Sequence, residues 1–279
     1  MYKRQVRFIP MVPREYLHIE TQAVAAMVGQ PGTSRMMSLS GEGGWITRMP
    51  PNVPMAFGLE NVESSDSLTV PWYDALIGEV RGDDEQLNPD LPIWDALNTE
   101  YLLTPREVGG RWELVTDYET NVYENAQALP RVYSPAAVKS ESSYKSAMRR
   151  MAAEDYLPRD GLVMVGPGSA EQGRFESGRV VGWSANAVSV EVDEADRWWV
   201  LADTFYPGWH AYGGGQELEI VPANCVLRGV RVPAGVKQVR FVYYPLSYLL
   251  GGFLAACSSG ILGFVLTYSR KRGGRNAGI

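Results

Sequence analysis

Cysteine and histidine are nearly absent. Across 279 residues there are only Cys225, Cys257, His18 and His210. Cys225 falls in an expected strand and Cys257 in an apolar run, so a disulfide between them is not expected. The histidines lie far apart, and neither has a second His or Cys at metal-ligand spacing, so no metal site is expected. Phosphate-cradling loops are missing too. Gly166-Pro167-Gly168 lacks the spacing and the Lys-Ser/Thr pair of a P-loop, and Gly213-Gly214-Gly215 lies between expected strands, so both read as turns. No Gly-x-Ser-x-Gly elbow occurs. Asp83-Asp84-Glu85 lacks the ordered oxygen spacing of a calcium loop and reads as a solvated loop. No cofactor is expected, and no catalytic residue is legible. Basic charge is also short over most of the chain. Four of the 26 bases (Arg270, Lys271, Arg272 and Arg275) lie beyond Leu246, where there are no acids, leaving 22 bases against 32 acids in residues 1–245. A body of net charge −10 excludes nucleic acid as a partner and a basic patch that docks on anionic lipid.

One long uncharged run stands out instead. Tyr248 to Tyr268 is free of charge over the length needed to cross a hydrocarbon core of about 30 Å. Gly252, Ala256 and Gly260 form a small-residue stripe suited to close helix packing. Tyr244, Tyr248 and Tyr268 fall near the two ends, where aromatic belts sit. Arg270-Lys271-Arg272 follows at once, so the positive-inside rule makes residues 270–279 a cytoplasmic tail, 246–269 a transmembrane helix and 1–245 extracytoplasmic. The bland alternative is a buried core helix, which seldom runs this long without a charge. Met1-Tyr-Lys-Arg leads into Gln-Val-Arg rather than an apolar signal run. Two expectations follow: the chain is the tail of a longer protein with earlier membrane helices, or it is tail-anchored.

The fold class read from the sequence is α+β. Residues 1–105 form a mixed α/β region with helices expected over Tyr16–Val28, Ser67–Ile77 and Leu91–Leu102, a strand over Arg35–Leu39, and a polar loop over Arg81–Asp90. Residues 106–245 are mostly strands, with a β-sandwich as the expected architecture. The strands are expected over Trp112–Tyr118, Asn121–Glu124, Pro130–Tyr133, Leu162–Val165, Arg179–Trp183, Ala187–Val192, Trp198–Asp203, Leu218–Val221, Cys225–Val230 and Val236–Tyr243. A helix over Ser143–Tyr156 interrupts them, capped by Ser142 or Ser143.

The most distinctive stretch is Leu201-Ala-Asp-Thr-Phe-Tyr-Pro-Gly-Trp-His-Ala-Tyr212. A strand enters a tight Tyr-Pro-Gly-Trp turn, in which Pro presets φ and Gly accepts positive φ, and leaves among aromatics. As structure, this is a rigid corner whose Trp209 plugs the sandwich. As function, Tyr206 and Trp209 form an aromatic platform beside Asp203, facing a sugar or the membrane surface. Asn224, at the start of another strand, joins Asp203 as a short polar residue at a strand end. Such residues usually clamp turns. Asp203, Tyr206, Trp209 and Asn224 are the candidate substrate-binding residues.

Several motifs follow one another in order: Asn121-Val-Tyr-Glu-Asn125, Ala128-Leu-Pro-Arg131, Asp203-Thr-Phe-Tyr-Pro-Gly-Trp209, Ala223-Asn224, Arg228-Gly-Val, Val232-Pro-Ala-Gly235 and Tyr243-Tyr-Pro before the apolar run. Together with Leu97-Asn-Thr-Glu-Tyr-Leu-Leu103, this set resembles the C-terminal end of the YfhO family from about Arg35 onward. The resemblance implies a large multi-pass bacterial membrane protein like the GT-C glycosyltransferases. It implies sugar transfer from a polyprenyl-phosphate carrier to a cell-envelope polymer, with the catalytic acid in an upstream loop. The implied partners are an upstream transmembrane bundle of the same protein, the lipid bilayer, the lipid-linked sugar and the envelope glycopolymer. The residues alone also admit a non-enzymatic glycan-binding module and a purely structural domain. One departure is the Gly213–Gly215 run, where an Asp-Gly or Asn-Gly turn is expected.

Overall fold

A computed structural model of the chain describes residues 22–27, 35–39, 53–63, 70–82, 86–118, 120–166, 170–193 and 195–273. The fold is α+β: a small mixed α/β region, then an antiparallel β-sandwich, then one C-terminal apolar helix.

The first sheet contains β1 (Arg35–Ser38), β2 (Glu60–Asn61), β3 (Thr99–Thr104), β4 (Trp112–Thr116) and β5 (Asn121–Asn125) in the order β2-β1-β3-β5-β4. β1 runs parallel to β2 and β3, and the other pairs are antiparallel. The sheet draws strands from both sides of residue 105. Two-residue alternation sends Met37, Leu102 and Tyr123 into the main core and Met36, Leu103 and Val122 into a smaller one. Ala23 and Met27 of α1 (Gln22–Met27) close the smaller core. The main core also takes α2 (Pro71–Glu79), α3 (Ile93–Ala96), α4 (Tyr144–Met151) and a three-stranded sheet. That sheet has β7 (Ala137–Glu141) between β8 (Leu162–Val165) and β9 (Ala170–Glu171).

Two five-stranded antiparallel sheets make the sandwich. One has β6 (Val132–Ser134), β10 (Glu176–Ser177), β13 (Arg197–Thr204), β16 (Ile220–Ala223) and β17 (Leu227–Val232) in the order β10-β6-β13-β17-β16. The other has β11 (Arg179–Ser184), β12 (Ala187–Glu191), β14 (Trp209–Gly213), β15 (Gln216–Leu218) and β18 (Gln238–Tyr243) in the order β11-β12-β18-β14-β15. The first of these sheets is buried on both faces. Trp199 and Leu201 of β13 point into the sandwich with Val230, Val239 and Phe241, while Val200 and Ala202 join the main core. This explains why β13 reads as a continuous apolar run rather than an alternating one. α5 (Leu246–Gly273) follows β18 after Tyr244 and Pro245, and its stretch Leu246–Leu266 is long and apolar enough to cross a membrane.

Several elements differ from the sequence expectation. Leu91–Leu102 is not one helix: a single turn ends at Ala96, and Thr99–Thr104 is strand β3. Asn98 takes the left-handed conformation (φ 57°), and its Nδ2 donates to the Leu129 carbonyl at 2.9 Å, which stops the helix. The strand expected over Leu218–Val221 is two strands in different sheets, with Glu219 crossing between them. β17 starts at Leu227, because Asn224 (φ 44°) and Cys225 (φ 60°) form a left-handed corner before it. β7 was not expected at all; its pairing with β8 and β9 makes it a strand. The α4 cap is Ser143, whose Oγ accepts from the Ser146 amide. The three glycines are turn variation: Gly214 (φ 59°) and Gly215 (φ 80°) are the central residues of the two-residue β14–β15 hairpin, the positive-φ pair that Asn-Gly also supplies. The expected helix residues 16–21 and 67–69, and Asp83-Asp84-Glu85, lie outside the described residues.

Candidate functional site

Asp203 ends the apolar run of β13 and is buried, 7% exposed. A lone carboxylate there would be costly, and three buried guanidinium groups meet it. Arg131, just ahead of β6, donates to Asp203 Oδ1 through Nη2. Arg35 of β1 reaches the same oxygen at 3.5 Å, and Arg228 of β17 donates to Oδ2 at 3.2 Å. Glu60 of β2 accepts from Arg131 at 2.7 Å and from Arg35 at 3.3 Å. Three cations therefore face two anions. Backbone carbonyls take further donors: Arg35 Nη1 bonds Leu97 O at 3.2 Å, and Arg228 Nε bonds Thr204 O at 3.1 Å. The cluster ties the first sheet to the sandwich.

The charge pattern sets the titration. Burial alone raises the Asp203 pKa, but Arg131, Arg228 and Arg35 together outweigh it and hold the carboxyl below its ordinary range. Burial pulls Arg228 down to about 10, opposed by Asp203, so it stays a cation at neutral pH. Arg131 is pushed upward, because Asp203 and Glu60 outweigh its burial. A carboxylate saturated by three guanidinium groups is a poor proton acceptor, so the cluster is built for position rather than for acid–base work.

Arg228 links this cluster to the aromatic turn. Its guanidinium carbon lies 3.6 Å from the Trp209 ring centroid. Trp209 packs against the sandwich core, as the plug expected from sequence would, but it is half-buried rather than sealed inside. Its place as the first residue of β14 leaves part of the ring open, while Arg228 covers one face. The turn is held from outside as well: Trp72 of α2 donates through Nε1 to the Phe205 carbonyl at 3.2 Å. Tyr206 is 45% exposed. Both Tyr206 and Trp209 flank Tyr243, at centroid distances of 6.3 and 5.3 Å. Gly208 (φ 100°) is required here, because a Cβ would sit 3.0 Å from Pro245.

A cleft of about 450 Å³ opens beside the turn, lined by Tyr206, Trp209, His210, Glu217 and Glu219 among others. His210 Nδ1 lies 2.7 Å from Glu217 Oε1, and its ring stacks on Tyr244 at 4.2 Å. Chemically, such a cleft offers aromatic faces to C–H groups and carboxylate and imidazole atoms to hydroxyls, the pairing that suits a polyol.

Of the four sequence candidates, the structure brings Asp203, Tyr206 and Trp209 into one contiguous neighbourhood. Asn224 is elsewhere. It is fully buried, its Oδ1 accepts from the Val163 amide at 2.8 Å, and its Nδ2 donates to the Tyr133 hydroxyl at 3.0 Å. Sequence reasoning assigned no role to Arg35, Glu60, Arg131, Arg228, His210 or Glu217. A usable signal existed for Arg228: one charge in the apolar stretch Cys225–Val230 requires a buried partner, and Asp203 closes another such stretch.

No protein-family model matches the chain, and the comparison with curated proteins finds no match. Among solved structures, the chain is similar to the cryo-EM structure of arabinofuranosyltransferase AftD from Mycobacteria, at 17% identity and a TM-score of 0.23. The match covers 26% of this chain and 6% of that one. A likeness of that size establishes neither a shared fold nor a shared activity.

Proposed function

We propose that this chain is the C-terminal extracytoplasmic part of a multi-pass bacterial membrane protein of the glycosyltransferase type, anchored by α5 with its basic end in the cytoplasm. In this reading it assists transfer of a sugar from a polyprenyl-phosphate donor to an envelope polymer, over an upstream membrane bundle that carries the catalytic acid. The ordered motifs that resemble the YfhO family support it. The observation that carries it is the aromatic cleft at Tyr206 and Trp209, which opens where the chain passes into the membrane-length helix α5. A lipid-linked sugar is presented at that level and nowhere deeper in the soluble body. Asp203 serves the cleft indirectly, through Arg228 and the Trp209 ring.

Two measurements test this. A thiol placed at the exposed Gln216 should react with an impermeant reagent on intact cells, and one at Gly273 should react only after lysis. The reverse pattern ends the extracytoplasmic reading. Soluble envelope glycan should quench Trp fluorescence of the full chain in detergent, and Trp209→Phe with Tyr206→Ala should abolish the response. Unchanged quenching in that variant removes the cleft from the site.

A further inference from the structure

The register of the second sandwich sheet decides which of its ends faces the apolar helix. β18 runs from Gln238 to Tyr243 and enters α5 at Leu246. Trp209 pairs with Tyr243, so β14 starts at the helix end, and Gly213 pairs with Val239 toward the far end. Ala187 pairs with Val242, so the β11–β12 hairpin also lies at the helix end, where the Asn186 carbonyl accepts from the Tyr243 amide at 2.9 Å. The Tyr206–Gly208 turn reaches beyond the sheet. The Gly208 carbonyl accepts from the Tyr244 amide at 2.9 Å, and Gly208 lies against Pro245. Tyr206 is therefore level with Tyr244–Pro245, about 7 Å or less along the chain from the first helical residue, at roughly 3.3 Å per residue.

Exposed aromatics gather at this end. Outside α5, the described exposed aromatics are Tyr118, Tyr144, Trp183, Tyr206 and Tyr244, and the last three lie on this sheet near its helix end. The first helical turns add Leu246 and Tyr248. The far end is polar by contrast, with Gln216, Lys237 and Gln238. The polar layer of a bilayer leaflet is about 5–8 Å deep outside the hydrocarbon core, the depth where Trp and Tyr rings partition.

We propose that the Tyr206–Gly208 turn, with Tyr244 and Tyr248, is a bilayer-docking surface that seats the sandwich in the headgroup layer beside α5. The partner is the lipid interface, engaged by aromatic partition and not by charge. The charged or ionisable side chains lining the cleft beside the turn are His210, Glu217 and Glu219, and Arg228 behind Trp209 is buried, so there is no basic patch for anionic lipid. The inference rests on α5 as a membrane span and adds to it a second, extrahelical contact. It also places the cleft beside Tyr206 at headgroup level.

The test uses the full chain in phosphatidylcholine vesicles with a bimane fluorophore on single thiols. Native Cys257 reports on the span. Tyr206→Cys and Gln216→Cys, each in a Cys257→Ser background, report on the two ends of the sheet. Cys225 does not compete, because it is buried and its thiol is pushed up to about 12. Lipid brominated near the acyl-chain ends should quench the Cys257 probe at mid-span, while lipid brominated near the headgroup should quench the residue-206 probe at least about twofold more than the residue-216 probe, and equally with or without anionic lipid. Quenching at Cys257 but none at residue 206 overturns the docking surface and leaves the span intact. No quenching at Cys257 overturns the span and the docking surface together. A residue-206 probe shielded from aqueous quenchers yet untouched by brominated lipid points to a protein cover and also overturns the proposal.

Discussion

Removing the charge of Asp203 should destabilise the soluble body far more than any surface ion pair can. In Asp203→Asn the shape is kept, but among the described residues Arg35 and Arg131 are left with Glu60 as their carboxylate partner, and Arg228 is left with none. Side chains of the three arginines are only 6–8% exposed, so water does not replace the lost partner. Breaking a buried pair from one side costs about 3–5 kcal/mol. For a body of this size that is a fall in Tm of roughly 6–20 °C. The control is Asp196→Asn, whose pair with Arg231 is 50–61% exposed and should change stability by less than about 1 kcal/mol. Circular dichroism of the full chain in detergent, melted at matched pH, reads both. The pH limb has a definite sign. The folded pKa of Asp203 is lowered, so its contribution is present above the unfolded value near 3.9 and is lost as pH falls through the lower folded value. The wild-type chain should lose stability more steeply below about pH 4 than Asp203→Asn. A loss below about 1 kcal/mol at neutral pH, or parallel acid limbs, refutes the claim that Asp203 neutralises the cluster.

Asn224→Ala should cost about 2–4 kcal/mol, since it strips the Val163 amide and the Tyr133 hydroxyl of buried partners at a positive-φ position, and calorimetry should show it without any change in glycan response. Tyr133→Phe should cost about 1–2 kcal/mol through its bonds to Asn224 and the Ala96 carbonyl, and should be less than additive with Asn224→Ala in a double-mutant cycle. Trp209→Ala should cost about 2 kcal/mol, less than the ~3–5 of a fully buried aromatic, because the ring is half-buried and half spent on Arg228. Gly208→Ala should destabilise the corner measurably while Gly110→Ala, also at positive φ but in open space, should cost only its backbone strain.

Much of the fold was legible because its strands announce themselves. Val239, Phe241 and Tyr243 alternate with Gln238 and Arg240, and β18 lies where that pattern puts it. The apolar run Leu246–Leu266 needs no tertiary context to be read as a helix. The failures share one cause, which is that local pattern cannot see pairing. Thr99–Thr104 follows a helical turn with helix-compatible residues, and only its ladders to β1 and β5 make it a strand. Leu218–Val221 reads as one strand because nothing local says that Glu219 leaves one sheet for another. The site was half legible for the same reason. The Tyr206–Trp209 turn is contiguous in sequence, so its aromatics were visible. The Arg35, Glu60, Arg131 and Arg228 partners of Asp203 come from positions spread over most of the chain, and nothing in a single sequence places them at one carboxylate.

That dispersion also explains why charges rather than apolar residues occupy the junction. Well-packed hydrophobic side chains of similar volume would stabilise it about as well, so net stability alone does not account for five buried or half-buried ions. What ions add is direction. Arg131 uses one nitrogen for both Asp203 and Glu60, Arg35 reaches Asp203, Glu60 and the Leu97 carbonyl, and Arg228 bridges Asp203, the Thr204 carbonyl and the Trp209 face. The two bonds that span the sheets, Arg35 to Asp203 and Arg131 to Glu60, fail if one sheet slides by a residue against the other, whereas an apolar contact would re-form. The cluster therefore fixes the register between the first sheet and the sandwich, and through Trp209 it fixes the tilt of the turn that meets Pro245 at the start of α5. That turn borders the cleft at Tyr206 and Trp209, so a fixed register also gives the cleft one shape. An uncharged junction of equal stability would not fix that register.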